Sequence, residues 1–104
     1  MSNVYIVYTT TPNEEEAATI ARTVVDERLA ACGNILPQVR SIYRWQGVIE
    51  DEPESAIVFK TQAGRVDALI HRIKTLHSYD VPDIVAVPIE RGHGPYLDWV
   101  RANT

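Results

Sequence analysis

The sequence predicts an α+β fold of the split βαβ kind, with a long central hairpin and a short C-terminal helix. Three observations carry this expectation. Strand-like and helix-like runs follow one another in the order β-α-β-β-α-β. The two middle strands are separated only by a short polar stretch, as in an antiparallel hairpin. The apolar spacing changes to a helical period twice, at Ala17 and at Val66. A length of 104 residues fits one domain, residues 1–104, with a core large enough to need no staples.

The first run, Val4-Tyr5-Ile6-Val7-Tyr8, is β-branched and aromatic throughout and reads as a central strand covered on both faces. Thr11-Pro12-Asn13-Glu14 has the form of a capping box, with Thr11 at the cap and Pro12 in the first helical position. Glu15 and Glu16 then suit the positive end of the helix dipole. Ala17, Ile20, Ala21, Val24 and Val25 form an apolar helical stripe, Leu29 to Cys32 extends it, and Gly33 is placed to stop it.

From Ile35 to Thr61 the pattern is extended. Val39, Ile42, Tyr43 and Trp45 are strand formers, and Pro37 implies a sheet edge or a bend. Gly47 and the cluster Glu50-Asp51-Glu52-Pro53-Glu54 mark the turn, after which Ala56 to Thr61 returns as a strand. The second helix carries Val66, Leu69, Ile70, Ile73 and Leu76 on one face. Ile84 to Ile89 is the last strand, and Tyr96 to Val100 a short terminal helix after Gly92-His93-Gly94-Pro95. This is the ferredoxin-like arrangement, both helices on one face of a four-stranded antiparallel sheet. The opposite face then lacks a cover, although its strands have no clean polar alternation. Self-association of the chain through that face and the hairpin is the economical answer.

Bulk properties exclude several function classes. Net charge is −4 and the ten Lys and Arg residues are scattered, so no basic stripe exists to track a nucleic-acid backbone. A single cysteine rules out an internal disulfide or a thiolate zinc cluster. The N-terminus shows no secretory pattern and no apolar run is long enough for a membrane span, so the expected compartment is the cytoplasm. There is no glycine-rich phosphate loop and no hydrolase or zinc-protease motif, and the chain is read as a non-enzyme.

Individual residues carry competing readings. Cys32 reads as a small buried hydrophobe at a helix end before it reads as a nucleophile. His77 fits the cap of the second helix, with a metal-ligand role as the alternative. His71 is a surface residue and His93 a loop residue. The acidic run near Glu52 is a solvated turn rather than a calcium loop. Lys60, within an apolar strand, either snorkels to the rim or pairs with a carboxylate or an anionic ligand at a subunit boundary. Tyr43 and Trp45 are suited to covering apolar area at an interface.

Several separated stretches resemble the CutA family of divalent-cation tolerance proteins. They are Leu29-Ala30-Ala31-Cys32-Gly33-Asn34-Ile35, Ser41-Ile42-Tyr43-Arg44-Trp45-Gln46-Gly47 with Glu54 and Lys60-Thr61, His77-Ser78-Tyr79-Asp80-Val81-Pro82, and Tyr96-Leu97-Asp98-Trp99. The resemblance implies a ferredoxin-like subunit in a homotrimer, similar in architecture to the PII signalling proteins, with hairpins paired between subunits. It implies inter-subunit pockets, to which Cys32, Trp45, Lys60, His77 and Tyr79 are assigned. It also implies a role in the response to metal ions, copper among them. The copper ligands of some members, a cysteine and two consecutive histidines, fall here on Thr9, Leu76 and His77, with Ser78 in place of a proline. Only His77 of those three is a ligand suited to copper, since a threonine hydroxyl does not replace a soft thiolate and leucine has no lone pair. The alternative function is a PII-like trimeric sensor that binds a small anionic metabolite at the subunit boundaries.

Overall fold

The β-branched run at the N-terminus forms β1, Val4–Thr11, and it lies in the interior of the sheet, between two strands. The computed structural model describes residues 2–104. After β1 come α1 (Glu14–Asp26), β2 (Cys32–Trp45) and β3 (Val48–Gln62), then a 3-10 turn (Ala63–Arg65), α2 (Val66–Leu76), β4 (Ile84–Ile89) and α3 (Gly94–Ala102). The sheet order is β2-β3-β1-β4, every neighbouring pair antiparallel. The expected ferredoxin-like topology is therefore present, with α3 as the additional helix.

The ends of α1 differ from the sequence expectation. Thr11 closes β1 instead of capping the helix, and its hydroxyl donates to the Asn13 carbonyl at 2.8 Å. The cap is Asn13, whose side chain accepts the Glu16 N–H at 2.8 Å, so the cap is shifted by two residues and Pro12 stands outside the helix. At the other end the helix stops at Asp26, before Leu29 to Cys32. Arg28 adopts φ 61°, Arg28 N donates to the Val25 carbonyl, and Leu29 N donates to the Val24 carbonyl. That is a Schellman closure built on arginine. Gly33 is not the stop. It lies in β2 opposite Phe59, where a Cβ would meet Phe59 Cε1 at 2.9 Å and the Ala21 Cβ at 3.3 Å.

The hairpin turn is also tighter than its acidic run suggests. Gln46 (φ 49°) and Gly47 (φ 82°) alone connect Trp45 to Val48, the two left-handed residues of a type I′ turn. Glu50 to Glu54 thus belongs to β3 and is not a solvated turn. β2 is an edge strand with a register shift between Leu36 and Val39, so Pro37 marks both an edge and a bend. β1 pairs with β3 only as far as Ser55. From Val39 and Glu54 outward, β2 and β3 therefore form a free two-stranded ribbon, which lengthens the molecule to 44 × 25 × 22 Å.

One sheet face carries the main core. Val7, Ile57 and Phe59 pack beneath Ile20, Val24, Leu69 and Ile73 from α1 and α2. The pairing register puts Ile6, Tyr8, Val58, Lys60, Val85 and Val87 on the opposite face. There α3 covers only one end, setting Leu97 and Val100 against Val4, Ala31 and Ile89. The rest of that face is open, and Val85 and Val87 are each 53% exposed.

Candidate functional site

A cleft of about 840 Å³ opens between the ribbon and the loop of residues 77–83 that joins α2 to β4. Tyr8 and Thr10 form its floor, Tyr43 and Trp45 its ribbon wall, and Tyr79 and Asp83 stand on the loop side. Ribbon register decides which side chains face it. Tyr43 pairs with Glu50, Ser41 with Glu52 and Val39 with Glu54, so tyrosine, tryptophan and glutamates share one face.

The loop is pinned from three elements. Glu16 of α1 accepts hydrogen bonds from Ser78 N at 3.0 Å and from Ser78 Oγ at 2.9 Å. Asp83 Oδ1 accepts from the Thr10 hydroxyl at 2.5 Å and from Thr10 N at 3.3 Å. Glu54 of β3 accepts the Tyr79 phenol at 2.7 Å. His77 is buried beneath these contacts. Its Nε2–H donates to the Thr10 carbonyl at 2.7 Å, and its Nδ1 accepts the Tyr79 N–H at 3.1 Å. This assignment follows from the partners, since a carbonyl can only accept and a backbone N–H can only donate.

Electrostatically the cleft is negative. The Tyr79 hydroxyl is pushed well above its ordinary value, by burial first and then by the bond to Glu54 and the charges around it. Tyr8 is raised by burial, then by Asp83 and Glu54, and Tyr43 by burial, then by Glu52, Glu50 and Glu54. The Arg40 guanidinium at the rim is already committed to Asp51, with contacts of 2.8 Å and 2.7 Å. That bond holds the Asp51 carboxyl below its usual range.

The five residues assigned to a pocket separate into two groups. Trp45 and Tyr79 line the cleft, and His77 supports it from below. Cys32 and Lys60 face each other across β2 and β3 toward the other end of the open sheet face. Cys32 begins a strand and is partly exposed, contrary to the buried helix-end position expected for it. Its Sγ lies 3.4 Å from the Tyr96 hydroxyl. The Lys60 ammonium donates to the Asn34 side chain. Glu16, Glu54 and Asp83 carry the loop geometry and were not singled out from sequence as site residues. For Glu54 the available signal is Gly47: reading Gln46-Gly47 as the turn moves the acidic run onto a strand facing Tyr43.

A resident copper ion does not fit this arrangement. No group of three His, Cys, Asp or Glu side chains converges among the described residues, and both ring nitrogens of His77 are engaged within the chain. No helix among the described residues is long and apolar enough to cross a membrane.

A family model described as "CutA1 divalent ion tolerance protein" matches residues 5–103. The chain is 50% identical over 99 residues to the divalent-cation tolerance protein CutA of Thermus thermophilus, covering 95% of this chain and 96% of that one. It is 46% identical over 102 residues to human protein CutA, covering 98% of this chain but only 57% of the human protein. The solved Thermus thermophilus structure superimposes with a TM-score of 0.94, covering 97% of this chain and 98% of that one. CutA from Xylella fastidiosa also gives 0.94, at 42% identity and with 97% of each chain covered. A relative from Archaeoglobus fulgidus is described as periplasmic.

Proposed function

Because the chain belongs to the CutA1 divalent ion tolerance family, we propose that it works as a non-enzymatic homotrimeric tolerance protein of the cytoplasm, taking part in the response to metal ions. The observation that carries the assembly is the ribbon. A two-stranded ribbon is marginal in water by itself, yet this one presents Ile42 at 64% exposure and Ile49 at 57%. The half-open apolar sheet face adjoins it. Patches of this kind mark association surfaces, and closed assembly of identical chains covers both at once. Light scattering on a sizing column is expected to give three times the chain mass of 11.7 kDa. A monomeric mass overturns the reading.

Copper or another divalent cation is held weakly in this reading, and His77 acts by positioning the loop. Calorimetry with Cu²⁺ and Zn²⁺ tests this. Binding much tighter than millimolar that disappears in His77→Ala would show that the ring leaves its present partners to ligate metal.

One observation favours a second reading, a PII-like sensor of a small anionic metabolite at the subunit boundaries. Lys60 is half-buried on the open face and has no carboxylate within ion-pair distance among the described residues. A thermal-shift screen of nucleotides and organic acids should then show stabilisation that Lys60→Met abolishes. No shift at millimolar concentrations removes this alternative.

A further inference from the structure

The cleft between the ribbon and residues 77–83 combines three properties that the tolerance role does not use. Its volume of about 840 Å³ is that of a small-molecule site. Four aromatic side chains line it: Tyr8, Tyr43, Trp45 and Tyr79. Its formal charge is negative, from Glu54, Asp80 and Asp83 in the lining and from Glu50 and Glu52 on the same ribbon face. The Arg40 guanidinium is tied to Asp51 and does not offset that charge for a ligand.

We propose that this cleft binds a small organic ammonium cation, held against the faces of Tyr43, Trp45 and Tyr79 and neutralised by Glu54. Aromatic faces attract cations through the ring quadrupole, most strongly when the cation is poorly hydrated and the site partly dry. A bare divalent ion needs several oxygen or nitrogen ligands at short range, and no three His, Cys, Asp or Glu side chains converge among the described residues. An anion would meet the glutamates. An organic cation needs only what is present: flat aromatic walls and carboxylate charge nearby. Tyr79 also delivers its phenol to Glu54, which orients that carboxylate in the lining of the cleft. The inference rests on residues of one chain. Where the proposed trimer covers the open sheet face, the cleft becomes a boundary pocket.

The chain contains two tryptophans. Trp99 stacks on Tyr96, away from the cleft, so Trp99→Phe leaves Trp45 as the only indole reporter. Benzylamine, benzyl alcohol and benzoate are near-isosteric probes that are cationic, neutral and anionic at neutral pH. Saturable Trp45 fluorescence changes are expected with benzylamine, with benzyl alcohol about tenfold weaker and benzoate weaker still. Glu54→Gln and, independently, Tyr79→Leu are each expected to weaken benzylamine by about fivefold or more. Light scattering on the same samples reports the assembly separately, so loss of binding in an intact trimer counts against the ligand alone. Equal affinity for benzylamine and benzyl alcohol overturns the proposal. So does benzylamine binding that neither variant affects, or no response to benzylamine up to roughly 10 mM. A response to Zn²⁺ that depends on Glu54, with none to benzylamine, also overturns it and makes the cleft a metal site.

Discussion

Replacing Gly33 with alanine tests the packing that separates this fold from its sequence pattern. Gly33 has no left-handed φ, so alanine meets no backbone penalty there, and a strand alanine gains about 0.5–1 kcal/mol over glycine from the unfolded state. Against that stands the added Cβ, 2.9 Å from Phe59 Cε1, 3.0 Å from Phe59 Cδ1 and 3.3 Å from the Ala21 Cβ. Phe59 is fully buried in the core cluster that holds Ile20, Val24, Leu69 and Ile73, so moving its ring means repacking that close-packed core. Overpacking of this kind costs about 1–3 kcal/mol, so the clash wins. The net loss is about 1–2 kcal/mol. With a urea slope of about 1–3 kcal/mol per molar, the midpoint should fall by roughly 0.5–1 M.

Urea unfolding followed by circular dichroism gives the measurement, at one protein concentration because the proposed assembly would add stability by mass action. Gly64→Ala is the control, since nothing lies within 4 Å of a Cβ built there. Phe59→Leu supplies the decisive arm. Alone it opens space and costs about 1–2 kcal/mol. Combined with Gly33→Ala it should cost less than the sum, with a coupling of about 1 kcal/mol. A neutral Gly33→Ala, or two strictly additive losses, would refute the close-approach reading and return Gly33 to a conformational role.

Three further outcomes follow from local geometry. Asn13→Ala removes the acceptor of the Glu16 N–H and should lower stability by about 1 kcal/mol in the same urea assay; no loss would mean that the cap lies elsewhere. Gln46→Gly relieves a non-glycine residue at φ 49° and should raise stability by about 0.5–1 kcal/mol, read as a higher midpoint of thermal unfolding. The Tyr96 hydroxyl is pushed up to about 12, by its bond to Cys32 first and by burial second. Since the raised value favours the neutral phenol in the fold, its contribution is complete below the ordinary tyrosine value of about 10 and is lost as pH rises through the folded one. Cys32→Ala should bring the tyrosinate absorbance step that Tyr96→Phe removes back toward the ordinary range, and an unmoved Tyr96 step would contradict the thiol–phenol bond.

Most of the architecture was legible because it depends on periodicity. The stripe Val66, Leu69, Ile70, Ile73 and Leu76 specifies α2, and the run from Ile84 specifies β4. What escaped was conformation that sequence signals only weakly. Arg28 and Gln46 take left-handed turns without being glycine, while Gly33, the conspicuous glycine, serves packing. The candidate site was legible in part for a different reason. Trp45 and Tyr79 sit in recognisable motifs, but their meeting depends on a loop pinned by Glu16, Thr10 and Glu54, each far away in the chain. His77 shows the limit most clearly. Its presence suggests a ligand, whereas the direction of its two nitrogens decides the role, and both are spent on Thr10 and Tyr79.

The cleft itself traces to a disagreement between two registers. In the body of the sheet β2 and β3 pair Cys32 with Lys60 and Leu36 with Ala56; at the tip the tight turn pairs Trp45 with Val48 and Tyr43 with Glu50. These two pairings differ by one residue, and side chains alternate faces along a strand, so a shift of one exchanges the faces of everything beyond it. Had the body register continued outward, Arg40, Ile42 and Arg44 would lie over the glutamates, and Tyr43 and Trp45 would face away from them. The irregularity between Leu36 and Val39 absorbs the difference. Pro37 suits that position, since it has no N–H to lose from a ladder, and its carbonyl accepts the Ser55 hydroxyl at 2.6 Å. The bend at Pro37 therefore does more than mark the edge of the sheet: it sets which chemistry the ribbon turns toward Tyr8 and Tyr79.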